Sequence, residues 1–196
     1  DEDGAGFGDC GCACDTEIAR WITTYAREGE WLTDLSPLLP LVAAGGPQRL
    51  RLNAVNSNPL HGAFLLSDAG KAERPAAIRY LWGKAWGEGF NEAYNGLHPD
   101  VTFDLPAGTT RTELVAVISG HGSGTTTENC AEFCDHHHEF TVNGTSFTKT
   151  HPEVNTWFGC ADQVAAGVVP NQFGTWIFGR AGWCPGLDVA PWVVDV

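Results

Sequence analysis

Glycine and proline set the terms for this chain. With 24 Gly and 11 Pro spread through 196 residues, many short strands joined by tight turns are the natural reading. Apolar residues make up 43% and charged residues 18%, a balance that suits an ordered, globular chain rather than a disordered one. The length suits one large β domain or two small ones and allows a substantial core.

Charge narrows the partners. The formal net charge is -13, from 24 acidic and 11 basic residues. Such a field repels nucleic-acid phosphates and anionic membrane surfaces, so no nucleic acid is expected as a partner. No window approaches the ~20 breaker-free apolar residues of a bilayer span, so no membrane insertion is expected. The sequence starts at Asp1 and contains no Met, which reads as a processed chain or a fragment. Seven cysteines, at positions 10, 12, 14, 130, 134, 160 and 184, point to an oxidising compartment, secreted or at the cell surface. The tight Cys10-Gly11-Cys12-Ala13-Cys14 run spaces its thiols by one residue, against the two to four usual for structural zinc. The odd count leaves at least one cysteine without an intrachain partner.

Along the chain, Glu17 to Tyr25 alternates as a strand does, with Ile18 and Ile22 on one face and Ala19, Trp21 and Tyr25 on the other. Ser36-Pro37-Leu38-Leu39 predicts a short helical turn stopped by Pro40. Leu50 to Ala54 alternates, Gly62 to Ser67 reads as a strand, and the polar stretch from Ser67 to Pro75 reads as a linker. Beyond it, Ile78 to Trp82, Val101 to Leu105, Gly174 to Phe178 and Val193 to Val196 carry strand patterns. Thr112 to Ser119 is apolar on both faces, as a central sandwich strand would be. Phe140 and Val142 share a face ahead of Asn143-Gly144, the strongest short-range hairpin signal. Asn143-Gly144-Thr145 also forms a glycosylation sequon. The expectation is an all-β, antiparallel jelly-roll sandwich of two consecutive units, 1–73 and 74–196.

Two stretches carry a more specific signal. Ile118-Ser119-Gly120-His121-Gly122 is followed by Asn129-Cys130-Ala131-Glu132-Phe133-Cys134 and His138. Gly174-Thr175-Trp176 continues as Arg180-Ala181-Gly182-Trp183-Cys184-Pro185-Gly186. Together they resemble the C-terminal domain of peptide:N-glycosidase F, the bacterial enzyme that cleaves N-glycans from asparagine. Glu17-Ile18-Ala19-Arg20-Trp21-Ile22-Thr23, with Tyr25, is more weakly similar to a strand of that family's N-terminal domain. The resemblance implies two eight-stranded jelly rolls, an architecture shared with copper-dependent peptide-amidating monooxygenases. It also implies disulfides Cys130–Cys134 and Cys160–Cys184, and a glycan or glycopeptide ligand.

It further implies roles. Glu132 matches a catalytic carboxylate, steadied by Arg180, while Arg180, Trp183 and His121 would form a glycan or peptide contact surface. Any activity would be that of a peptide-N4-(N-acetyl-glucosaminyl)asparagine amidase. The family's essential Asp lies in a Cys-Asp-x-x-Asp-Arg segment, whereas here Cys14 runs straight into Asp15-Thr16-Glu17 and no Trp-Asp-Arg triplet occurs. A second family carboxylate falls near Val55. Amide hydrolysis needs a carboxylate to activate water and a partner for the leaving amide, so the chain is expected to bind rather than cleave. Relative to the family it looks incomplete at both ends, with another chain as one source of the missing strands.

The histidines open a second chemistry. On a strand, His136 and His138 point to one face and His137 to the other. Those two with His121 would make a copper or zinc set, and a copper- or zinc-binding redox protein is the rival reading. The related monooxygenases complete one copper site with a Met, which this chain lacks. His138 also shares its face with Phe140 and Val142, the pattern of a hydrogen-bonded core histidine, so no cofactor is expected. A structural or assembly module pairing through open sheet edges is the third reading.

Overall fold

The computed structural model describes residues 17–43, 45–48, 50, 59–67, 75–82, 89–122, 130–171 and 174–196. Cys10, Cys12, Cys14, Asp15 and Val55 lie outside them, as do most of the predicted Leu50–Ala54 strand and of the polar linker. The chain divides into two compact units, Asp1–Ile18 with Asp34–Gly87, and Ala19–Thr33 with Glu88–Val196. The boundary expected from the sequence was a single break after residue 73. In the structure, Ala19–Thr33 belongs instead with the C-terminal residues.

In the first unit, the predicted helical turn is a 3-10 helix, Ser36–Leu41. Asp34 Oδ1 accepts the Ser36 N–H at 2.9 Å. Pro40 sits inside this helix rather than ending it. Gly62 to Ser67 and Ile78 to Trp82 are not strands in the structure. Leu65 and Leu66 are 80% and 94% exposed, so among the described residues no sheet buries this apolar run.

Among its described residues, the second unit holds four short strands in two antiparallel pairs. Strand β1, Glu113–Ala116, pairs with β4, Trp192–Asp195, matching Leu114 to Val194 and Val115 to Val193. Arg111 ties the end of this pair, bonding Glu113 at 2.7 Å and Asp195 at 2.9 Å. The central position expected for Thr112–Ser119 is not seen. Val115 is 54% exposed, so one face of β1 is open.

Strands β2, His137–Val142, and β3, Thr145–Thr150, form the hairpin that the sequence announced. Asn143 and Gly144 both take positive φ, 49° and 84°, the type I′ geometry that matches strand twist. Register is thereby fixed from Val142↔Thr145 to His137↔Thr150. Phe140 and Phe147 face each other on the inner side, where Phe140 also stacks on Trp192 of β4 at 5.6 Å.

An extended segment around Trp21 lies against Asp188, with Ile22 N–H donating to Leu187 O at 2.8 Å and Val189 N–H to Arg20 O at 2.9 Å. This carries Ile22 into one core cluster with Trp183, Val189 and Val117. A second cluster forms around the Cys160–Cys184 disulfide, with Val168, Trp176 and Leu187. The residues 101–105 carry no strand, and Gly174–Phe178 is a succession of turns. The reason for the latter is local: the carbonyls of Thr175, Trp176 and Phe178 turn towards the Arg180 guanidinium instead of a neighbouring strand.

Candidate functional site

The Cys130–Cys134 disulfide, with Cα atoms 5.3 Å apart, closes a five-residue loop with Glu132 at its centre. Inside it, Cys134 N–H donates to Cys130 O at 2.8 Å. Glu132 docks the loop through its own backbone. Its N–H donates to Gly122 O at 3.0 Å, and its carbonyl accepts the Ala181 N–H at 3.1 Å. Gly120 makes the approach possible, because a Cβ there would lie 2.0 Å from the Ala131 carbonyl oxygen.

Arg180 anchors the carboxylate. Its side chain is wholly buried, and Nε donates to Glu132 Oε1 at 2.6 Å. Nη2 reaches Thr175 O at 2.8 Å and Thr175 Oγ1 at 3.2 Å, while Nη1 reaches Phe178 O at 3.0 Å. The guanidinium also lies over the Phe133 and Trp183 rings, 5.0 and 4.9 Å from their centroids. A planar five-donor cation suits this work better than a lysine would. Buried this way, Arg180 holds Glu132 from below instead of facing solvent. The Glu132 side chain keeps 15% exposure.

Trp183 is also beneath the surface, 7% exposed and packed with Ile22 and Val189. Its indole N–H donates to Gly120 O. His121 lies over it, ring centroids 4.7 Å apart, and is itself exposed. Its Nε2 is 3.1 Å from Ser119 Oγ, which accepts from Arg20 Nη1 at 2.8 Å. Desolvation against the indole lowers the His121 pKa, with Glu132 pulling the other way. Of the four residues singled out in the sequence, then, Glu132 and His121 reach solvent while Arg180 and Trp183 support them.

Two neighbours were not singled out as site residues. Tyr25 holds a left-handed φ of 52°, a conformation that costs a bulky residue energy and clusters at functional sites. Burial raises its phenol pKa, followed by opposed effects of Arg180, which lowers it, and Glu132, which raises it. Asn171 Nδ2 donates to Thr175 Oγ1 at 3.3 Å, beside the same guanidinium. Nothing in the local sequence signals a site role for these two, since they converge on Glu132 and Arg180 only through tertiary folding.

A second constellation is made by the hairpin. In an antiparallel pair, directly opposed residues point to the same side. Continuing the observed His137↔Thr150 register by one step sets His136 opposite His151. His136, His138 and His151 therefore share one face, and one ring nitrogen of each lies within 4.8 Å of the others. His121 is not among them, so the set expected from the sequence is corrected at one member. The signal was present: a two-residue turn at Asn143-Gly144 fixes the pairing, and the pairing selects His151.

Phe90 covers this face, 4.7 Å from His136 and 5.6 Å from His138 between ring centroids, with Tyr94 5.9 Å from His138. Burial pushes the His138 pKa down to about 4, helped by the nearby His136, His151, His137 and His98. Above pH 6.5 neither the folded nor the unfolded state protonates this ring. Between there and about pH 4 the unfolded chain takes a proton that the folded one resists. We expect metal-free protein to lose about 1–2 kcal/mol of stability over that window, a figure discounted for partial exposure. Urea unfolding at pH 7 and pH 4 measures it, and an equal loss in His138→Gln would assign the effect elsewhere.

A cleft of about 370 Å³, lined by residues that include Thr24, Glu28, Trp31, Gly186 and Asp188, contains neither Glu132 nor the histidines. Its size does not make it the site, since none of the matched chemistry lies in it.

A family model, peptide-N-glycosidase F, C terminal, matches residues 90–196. The chain belongs to this family. No curated protein and no solved structure matches the chain significantly. The peptide-N-glycosidase F match takes in Glu132, Arg180, Trp183, His121 and all three clustered histidines. It does not take in residues 19–33, although Ile22 completes the core under Trp183 and Tyr25 stands beside Glu132. Both disulfides implied by the family resemblance are present, as suits an oxidising compartment.

Proposed function

We propose that this protein is an exported member of the peptide-N-glycosidase F-like group that binds glycan or glycopeptide on a jelly-roll framework. The observation that carries the reading is the mounting of Glu132. Its carboxylate is held at 2.6 Å by a fully buried arginine, on a disulfide-closed loop, and still reaches solvent. A carboxylate fixed in this way accepts hydrogen bonds from sugar hydroxyls or amides without the entropy loss of a free side chain. Tyr25 and His121 add a phenol and an exposed ring within the same neighbourhood.

Binding without cleavage is the favoured activity. Water activation by Glu132 would still need a partner for the leaving amide, and the family's Trp-Asp-Arg triplet is absent from these 196 residues. The test is calorimetry with a chitobiosyl-asparagine glycopeptide. Losing one charged hydrogen bond in Glu132→Gln should weaken binding about 10- to 100-fold. The same glycopeptide incubated with the protein should yield no free glycan. Absence of binding by the unaltered protein, or undiminished binding by Glu132→Gln, would overturn the reading. Glycan release abolished by Glu132→Gln would show an amidase whose second group must be sought, with Asp15 the first candidate.

A further inference from the structure

The imidazoles on the hairpin's inner face have a hydrogen-bonding pattern that hydrogen bonding alone does not complete. His136 Nδ1 lies 2.8 Å from the carbonyl oxygen of Cys134. His151 Nδ1 lies 3.3 Å from Glu153 Oε1, which also accepts the Gly182 N–H at 3.0 Å. A carbonyl can only accept, and a carboxylate does the same when ionised. In the neutral ring form both Nδ1 atoms therefore carry the proton, and both Nε2 atoms are left as bare lone pairs. His151 Nε2 is buried with no hydrogen-bond partner, and so is His138 Nδ1.

Buried ring nitrogens without partners are costly, and each calls for a physical account. The His151 side chain is fully buried. A nitrogen lone pair enclosed among two other imidazoles lacks a donor, and what satisfies several converging lone pairs at once is a shared cation. The outer contacts fit the same view. A metal-bound imidazole typically gives its second N–H to a carbonyl or carboxylate, which fixes the tautomer and the ring plane. Cys134 O and Glu153 Oε1 occupy those positions for His136 and His151.

We propose that His136, His138 and His151 bind one transition metal ion of the imidazole-preferring class, with zinc(II) as its simplest representative. Around a tetrahedral zinc with bonds of ~2.0–2.1 Å, ligand nitrogens stand about 3.3 Å apart. One nitrogen of each ring here lies within 4.8 Å of the others, so side-chain displacements of about 1 Å close the set. Three protein ligands leave a fourth position for water, the ligand count of open rather than structural zinc sites. Phe90 and Tyr94 wall the face and would limit solvent access. The outward-facing His137 takes no part, being exposed on the opposite side of β2. This site is independent of the glycan reading, which rests on Glu132.

The test uses the full chain after chelator treatment and dialysis. Titration with zinc chloride should give one ion per chain with a Kd of about 1 μM or tighter, against which His136→Ala and His151→Ala should each weaken binding at least about tenfold. His137→Ala and His121→Ala should leave it unchanged. His151→Ala also empties a fully buried position, so the half-buried His136→Ala and the cobalt(II) spectrum of the unaltered protein carry the decision. Cobalt(II) bound by imidazoles should show d–d bands without thiolate charge transfer. No stoichiometric binding, binding untouched by His136→Ala, or a thiolate signature from the Cys10-Cys12-Cys14 run would overturn the proposal.

Discussion

Arg180→Met is expected to destabilise the protein by about 3–5 kcal/mol, the range for removing one partner of a buried ion pair. The substitution keeps much of the side-chain volume and deletes the charge. Glu132 then faces methionine where a guanidinium stood 2.6 Å away. The carbonyls of Thr175, Trp176 and Phe178 lose the donors that folded Gly174–Phe178 into turns. Arg180→Lys should recover only part of the loss, since an ammonium cannot reach the five oxygen acceptors that the planar guanidinium serves. The double variant Arg180→Met, Glu132→Met removes the stranded carboxylate and should be less destabilised than Arg180→Met alone. Guanidinium unfolding followed by Trp fluorescence measures all three. A loss below about 1 kcal/mol for Arg180→Met, within reach of an ordinary exposed pair, would mean that the buried network contributes little.

Opening the Cys160–Cys184 bridge should rank beside it. The bridge joins residues 24 apart, and the chain-entropy relation gives about 3–4 kcal/mol for a loop of that size. The sulfurs also sit at the centre of a cluster with Val168, Trp176 and Leu187, so the paired Cys→Ala change removes packing as well. The Cys130–Cys134 loop, with a separation of 4, yields only about 2 kcal/mol by the same relation. Its removal should act more on the position of Glu132 than on global stability. Comparing melting temperatures of the two double-alanine variants separates these roles. A larger loss at Cys130–Cys134 would mean that its loop contributes through docking against Gly122 and Ala181 rather than through chain entropy.

What the residues disclosed and what they hid follow a physical line. The hairpin was readable because Asn143-Gly144 dictates its own backbone and the alternation on either side agrees with it. Both C-terminal disulfides and the family followed from motif residues that stay close in sequence. Gly174–Phe178 misled because its apolar alternation suits a strand, while the buried charge of Arg180 redirects its carbonyls. The open face of β1 was invisible for a related reason, since Val115 gives no sign of whether a sheet will cover it. Tyr25 and Asn171 reach the Glu132 region through long-range folding alone, which no local pattern encodes.

The tight turn at Asn143-Gly144 has a consequence for how this sequence can drift. Surface turns ordinarily absorb insertions and deletions with little cost. Here the turn measures out the distance between two arms whose ends carry His136 and His151. One residue gained or lost would reverse the side on which the second arm presents its side chains, turning Lys149 outward and offering a threonine to the imidazoles. Changes of even length could survive if both arms lengthened together. Relatives that keep the histidine trio should therefore vary freely in the identity of the outward residues at 137, 139 and 148, yet change the count of residues between 138 and 151 only by even numbers.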